Sequence, residues 1–351
     1  MVRIHSQGSS CIERHQDSAL ANSLESGAIA AFSAGQQRRQ EHWRTQQAAG
    51  IELLAVGDFA WGDRVLAHSF LVGLTSGQSS VATRQGQGAR ARWFASEQSY
   101  QVPEFARDQA FAIGWEQLFA EVTEARALGL AVKPIILGPL SYLWLGRARD
   151  TDVERLDLLE RLLPVYGEIF ARLAAQGVEW IQIDEPILTL ELPLAWRNAF
   201  ERAYNLLQRE PLKKLLAVSH GELLDNLGLA TGLPVEGLHV DVPRTAQAQQ
   251  ALLDRLPAYK TLSLGQVERE PGQQEPRLTF IRQASERLKE RLWLAPARTH
   301  SAAADAEFAL WVRAAREAAA AKPVPAAGKP WSAIEAALAK LGTAQAGLAS
   351  R

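Results

Sequence analysis

Cysteine is almost missing from this chain: Cys11 is the only one among 351 residues. An intramolecular disulfide is therefore impossible, and a zinc site built from several cysteines is excluded. Cys11 itself sits in an irregular Gly-Ser-Ser stretch and reads as an incidental thiol. An excess of one charge sign is missing too. With 38 basic and 39 acidic residues the formal net charge is -1. That balance gives no electrostatic footprint for nucleic acid, and there is no basic run of the membrane-anchoring kind. No apolar stretch approaches the ~20 residues needed to span a bilayer, and residues 1–16 lack the apolar core of a secretory signal. A cytoplasmic chain without nucleic-acid or membrane partners is expected. Neither G-x-G-x-x-G nor P-loop spacing occurs, so nucleotide binding has no support.

What the chain does have is seven short apolar runs, each ending in polar or small residues. They read IELLAVGDF (51–59), VKPIILGP (132–139), VEWIQIDEP (178–186), KKLLAVSHGE (213–222), GLHVDVPR (237–244), YKTLSLGQVE (259–268) and RLWLAPARTH (291–300). Segments of helical periodicity fill most of the gaps, among them 29–49, 109–128, 152–176, 198–209, 222–231, 246–256 and 279–290. Continuous apolar runs alternating with helices mark buried parallel strands covered on both faces. The order predicts an α/β fold, in one large barrel or two medium domains. Such a barrel gathers its functional groups at the C-terminal ends of its strands.

Asp184 and Glu185 stand at one such end, before a proline. Adjacent carboxylates there can bind a cation, accept hydrogen bonds from a substrate or act as a base; the plainer alternative is a turn cap or an arginine partner. Asp58 ends the first run. His220 and His239 lie at or near two further ends, and Asp241 shares a strand face with His239. With a carboxylate these histidines suit a metal site, but their spacing is weak evidence and a hydrogen-bonded pair in a polar mouth explains them as well. Arg84, Arg90 and Arg92 lie in or beside a Gly- and Ser-rich stretch (75–92), where guanidinium forks can receive a chain of carboxylates. Arg92, next to Trp93 and Phe94, is the best placed of them. Of ten tryptophans, most belong to a core; Trp61, Trp93 and Trp144 follow strand ends or loops, where a planar ligand can stack.

The segments ELLAVGDFAWGDRVL, RWFASEQSYQVPEF, KPIILGPLSYLWLGR, LLPVYGEIFARLAAQGVEWIQIDEPIL, LLDNLGLATGLPVEGLHVDVPR and LSLGQV, in this order and spacing, resemble the N-terminal half of cobalamin-independent methionine synthase. The run from Leu162 to Leu188 is the most specific. The resemblance implies a family that carries methyl from 5-methyltetrahydropteroyltriglutamate to homocysteine on two (β/α)8 barrels. The C-terminal barrel holds zinc through His, Cys, Glu and Cys, and the N-terminal barrel helps hold the folate polyglutamate tail. By the resemblance this chain is a single (β/α)8 TIM-type barrel over residues 51–320, between a helical extension over 1–50 and a linker and C-terminal helix over 321–351. By that resemblance Arg14 and Arg92 are the folate-binding residues here. Asp17 stands where the family has a lysine, which reverses the field that a carboxylate tail meets. The family's N-Y-H-Y stretch is reduced to EQSY, its G-R-N-I-W loop to EREPGQQEP, and its S-C-S-L-L-H segment to ARTHSA.

Three readings follow. One is a stand-alone N-terminal-half homologue that serves methionine biosynthesis with a separate zinc-bearing C-terminal barrel. In that case this chain carries no catalytic residue and no metal of its own, and folate polyglutamate is its ligand. A second is a non-catalytic protein that binds folate or another small anion. A third is an independent enzyme with a metal site recruited at the barrel mouth from Asp184, Glu185, His220, His239 and Asp241.

Overall fold

The computed structural model describes residues 2–6, 29–58, 63–74, 89–94, 99–149, 152–265, 274–295 and 316. All seven apolar runs form parallel strands: β2 (Leu54–Val56), β3 (Val132–Leu137), β4 (Trp180–Asp184), β5 (Lys213–Val218), β6 (Gly237–Asp241), β7 (Thr261–Gly265) and β8 (Leu292–Ala295). An eighth strand, β1 (Arg3–Ile4), pairs in parallel with β8. The sheet runs from β1 through β8, β7, β6, β5, β4 and β3 to β2, and its two ends meet where His5 bridges Leu53. Ser6 N–H donates to Leu53 O and Glu52 N–H to Ile4 O across that seam. The α/β barrel is thus a curled eight-stranded parallel sheet.

The seam corrects the expected boundary. Residues 1–50 were expected to be a helical extension, yet Arg3–Ile4 belongs to the barrel. A two-residue strand is too short to show any apolar period, so side chains rather than pattern fix it. The helix predicted over 29–49 is present as α1 (Ile29–Ala48), and Gly50 beyond it has φ +92, as its role past a helix end requires. Arg14, Cys11, Trp61, Arg84 and all of residues 321–351, the expected linker and C-terminal helix, lie outside the described residues.

Among the described residues the remaining α-helices are α2 (Arg64–Leu71), α3 (Gln117–Ala127), α4 (Pro139–Leu145), α5 (Leu159–Ala175), α6 (Leu194–Leu207), α7 (Leu227–Gly232), α8 (Ala246–Arg255) and α9 (Gln274–Leu288). The α3 helix starts eight residues later than its periodicity suggested. Residues 109–116 are drawn away by the end of α2, where Ala112 N–H donates to Val72 O and Gly114 N–H to Leu71 O. Those bonds satisfy carbonyls that a helix end leaves open.

Strand alternation produces two apolar cores. On β4, Ile181 and Ile183 face outward into the large core between barrel and helices. Trp180 faces inward, packing with Leu53, Leu215 and Trp293 in a small plug. Residues of one inner face lie two apart, so the inner row of β4 continues from Trp180 through Gln182 to Asp184. That row positions the site.

Candidate functional site

Above the apolar plug the barrel interior is polar. Asp184 Oδ1 accepts from Gln182 Nε2 at 2.7 Å, and its Oδ2 accepts from Arg64 Nη2 of α2 at 2.6 Å. The ammonium of Lys133, on β3, donates to Gln182 Oε1. On the other side of the interior, Ser263 of β7 lies between two rings, 2.5 Å from His5 Nε2 and 2.6 Å from His239 Nδ1. One hydroxyl carries one proton, so Ser263 donates to one histidine and accepts from the other. Burial holds the His5 ring well below the ordinary imidazole range, with Lys133 and His239 adding to the effect. His239 is fully buried. It belongs to the inner wall rather than to the mouth, and its neighbour on that face, Asp241, ends β6 partly exposed.

Glu185 departs from the mouth reading and follows the plainer alternative, a cap, as Asp184 follows it with its arginine partner. It follows Asp184 and so points to the opposite side of the sheet. Its carboxylate accepts from Ser141 N–H at 2.7 Å, Leu140 N–H at 3.3 Å and Tyr204 O–H at 3.2 Å. It is 0% exposed and fixes the start of α4 against β4. As a mouth residue it is corrected: the alternation that brings Asp184 inward takes Glu185 into the helix layer.

Burial raises the Glu185 carboxyl to about 7, overcoming the hydrogen bonds from Ser141, Leu140 and Tyr204 that lower it. The folded state therefore keeps this proton where the unfolded chain has lost it. The stabilisation is complete below the ordinary value of 4.5 and is lost as pH rises through about 7. The expected loss is about 3 kcal/mol. Urea midpoints measured across that interval test it: Glu185→Gln should flatten the slope by that amount, and a slope equal to wild type would refute the assignment.

The rim is built by a small antiparallel pair, Arg90–Arg92 with Ser99–Gln101. Asp63 anchors it. This buried carboxylate caps α2 by accepting from Val65 and Leu66 N–H, and it also accepts from Gln101 N–H at 2.6 Å. Beyond Arg92 the chain turns inward, and Trp93 Nε1 donates to His220 Nε2 at 3.1 Å. Indole only donates, so Nε2 of His220 carries its lone pair toward Trp93. The Phe94 and His220 rings lie nearly parallel, 9° apart in plane. Both residues have positive φ, +45 and +73, a conformation that side chains adopt only when their surroundings hold them there. Arg92 is exposed beside this aromatic bracket. Asp58 is buried past the end of β2 and acts electrostatically on Glu121 of α3. Trp144 meets Trp196 edge-on at 4.8 Å, with Arg155 over both rings, so it is a packing residue.

The structure therefore joins Asp184 to the interior, and His220 to the Arg92 hairpin. It separates Glu185 from both. Sequence reasoning missed Arg64, Gln182, Lys133, Ser263 and His5. Gln182 and Lys133 left a signal, since each is a polar residue inside an apolar strand run; Arg64 and His5 left none. Each described histidine has a ring nitrogen in a hydrogen bond: His5 and His239 with Ser263, His42 with Gln46, His68 with Tyr166, and His220 with Trp93. Among the described residues no group of three His, Cys, Asp or Glu could hold a metal, and one cysteine cannot supply a ligand set that needs two. These residues do not fit a His, Cys, Glu, Cys zinc site.

The model of one protein family matches residues 24–270: the N-terminal domain of the cobalamin-independent synthase. The chain belongs to this family. Solved structures agree in fold. A B12-independent methionine synthase from Shewanella sp. W3-18-1, in complex with selenomethionine, aligns with TM-score 0.64 and 12% identity over 90% of this chain and 98% of that one. A putative vitamin-B12 independent methionine synthase from Listeria monocytogenes aligns with TM-score 0.65 and 13% identity over the same shares. A methyltransferase from Methanosarcina mazei gives 0.56 and 14%, over 90% of this chain and 93% of that one. For this cobalamin-independent synthase domain the matched region covers β2 to β7 and the whole Arg92 hairpin. No helix among the described residues is long and apolar enough to cross a membrane.

Proposed function

We propose that this barrel serves methyl transfer from 5-methyltetrahydropteroyltriglutamate to homocysteine in methionine biosynthesis. Its part is to hold the folate tail while a separate zinc-bearing barrel performs the chemistry. Zinc bound in that partner would supply the activation of the homocysteine thiol as thiolate; this chain's own residues bind and orient. The observation that carries the reading is the exposed Arg92 on a hairpin fixed at the rim by Asp63 and by the Trp93–His220 bond. A guanidinium there can pair with successive carboxylates of a polyglutamate. Arg14 is the second proposed contact. In this reading the cytoplasm is where the chain works, and neither nucleic acid nor membrane is a partner.

Calorimetry with 5-methyltetrahydrofolate bearing one or three glutamates tests this. Two added carboxylates at an exposed cation are expected to tighten binding by about tenfold, and Arg92→Ala should erase that difference. Equal affinities for the two ligands, or no binding of either, would overturn the folate role. The second reading, a non-catalytic small-anion binder, draws its support from Asp17. It predicts that the glutamate count does not matter while simple dicarboxylates still bind.

A further inference from the structure

The ladder between β2 and β3 stops at Val56 and Pro134. Above it Ile135, Ile136 and Leu137 pair only with β4 among the described strands, and Gly57 turns the chain away with φ +86. On that side α2 and α3 pack against β3. Beneath them lies a cavity of about 50 Å³, room for roughly three or four waters or a small organic molecule. Its apolar wall includes Leu71, Leu118 and Trp115, while Arg64, His68, Gln117 and Glu121 bring polar groups to it.

Two ion pairs flank this cavity with opposite ends toward it. Arg64 is held from the barrel interior by Asp184. Glu121, 2% exposed, is held from α1 by Arg39 at 3.3 Å. Its carboxylate also accepts from Gly57 N–H at 3.1 Å and Gln117 Nε2 at 2.8 Å. Two hydrogen-bond donors and the Arg39 ion pair leave part of a carboxylate's acceptor capacity of about four lone-pair sites unused. The lining thus offers one guanidinium and one carboxylate, Arg64 paired with Asp184 and Glu121 sharing Arg39 with Glu124. A lone cation would meet Arg64 and a lone anion would meet Glu121. A molecule carrying both charges meets neither penalty.

We propose that this cavity binds a small zwitterion of the amino-acid type, its ammonium on Glu121 beside the Trp115 ring and its carboxylate on Arg64. An indole face adds attraction for the ammonium. This site is separate from the rim hairpin, and the proposal does not depend on the folate reading. Burial raises Glu121 to about 7; Arg39 and Gln117 lower it and Asp58 raises it. An ammonium favours the ionised carboxylate, so affinity should grow as pH rises through that value. Arg39, itself paired with Glu124 of α3, faces Glu121 from α1; Asp58 acts from the end of β2, and Arg64 and His68 line the cavity from α2. His68, depressed to about 3 by burial and then by Arg64, stays neutral throughout, so the pH dependence belongs to Glu121.

Glycine and β-alanine are the probes, with ethylamine and propionate as single-charge controls, titrated into the full chain by calorimetry and ligand-observed NMR. A zwitterion of so few atoms is expected to bind in the millimolar range, about tenfold more tightly than either control. Ala67→Leu, which fills the cavity, and Glu121→Gln should both abolish the signal. If Glu121→Gln fails to fold, Ala67→Leu decides alone. Folate titrations on Ala67→Leu should match wild type, which separates failure here from failure at the rim. No saturable binding up to about 50 mM, equal binding of the single-charge controls, or retention in Ala67→Leu would overturn the proposal.

Discussion

Gly138→Ala is expected to cost about 3 kcal/mol or more, a large share of the margin that holds a domain of ordinary stability folded. A Cβ at this position would lie 2.1 Å from Glu185 Oε1, 2.2 Å from its Cδ and 2.5 Å from its Cγ. Backbone conformation is not the obstacle, since Gly138 has φ -71 and ψ 153, open to any residue. The obstacle is Glu185, which cannot swing aside: it is sealed from solvent and held by Leu140, Ser141 and Tyr204. Adding Glu185→Ala to Gly138→Ala should restore part of the loss, because the second change removes the atoms the first collides with. Denaturant unfolding of both singles and the double measures this coupling. A Gly138→Ala protein within about 1 kcal/mol of wild type would show that Glu185 is not packed as described.

Arg64→Met is the second large effect, about 3–5 kcal/mol. Asp184 is 2% exposed, and the substitution takes away the guanidinium that neutralises it at 2.6 Å. Methionine preserves most of the aliphatic volume on α2, so the loss reports charge rather than packing. Asp184→Asn in the same background should recover a large part of it, since a neutral amide needs no counter-charge. Thermal melts of the single and double variants decide. If Arg64→Met alone melts like wild type, solvent already screens Asp184 and the interior is wetter than the burial implies.

The strands were legible because burial on both faces leaves one kind of trace, a continuous apolar run. All seven such runs became strands. β1 left no trace, because two residues cannot show a period; His5 places it through Ser263, a residue far away in sequence. Helix starts were less legible than helix existence. Residues 109–116 have helical periodicity, but the open carbonyls at the end of α2 claim their N–H groups. Among site residues, Asp184 was readable as an inward strand-end carboxylate. For Glu185 the pattern leaves mouth residue and cap both open, because its hydrogen bonds from Leu140 and Ser141 N–H depend on where α4 begins. His239 was placed at the mouth, although its position two residues before the end of β6 puts it one layer deeper.

The amino-acid order alone settled the alternation of strand and helix, the family, and the exclusion of a disulfide and of a two-cysteine metal site. Those properties follow from local periodicity and from counts, which need no partner in space. The tertiary structure decided which carboxylate meets Arg64 and which is sealed behind α4, how Trp93 and His220 fix the Arg92 hairpin, and that a cavity lies between α2 and α3. Each depends on side chains separated by dozens of residues, brought together only when the sheet curls and β1 meets β2.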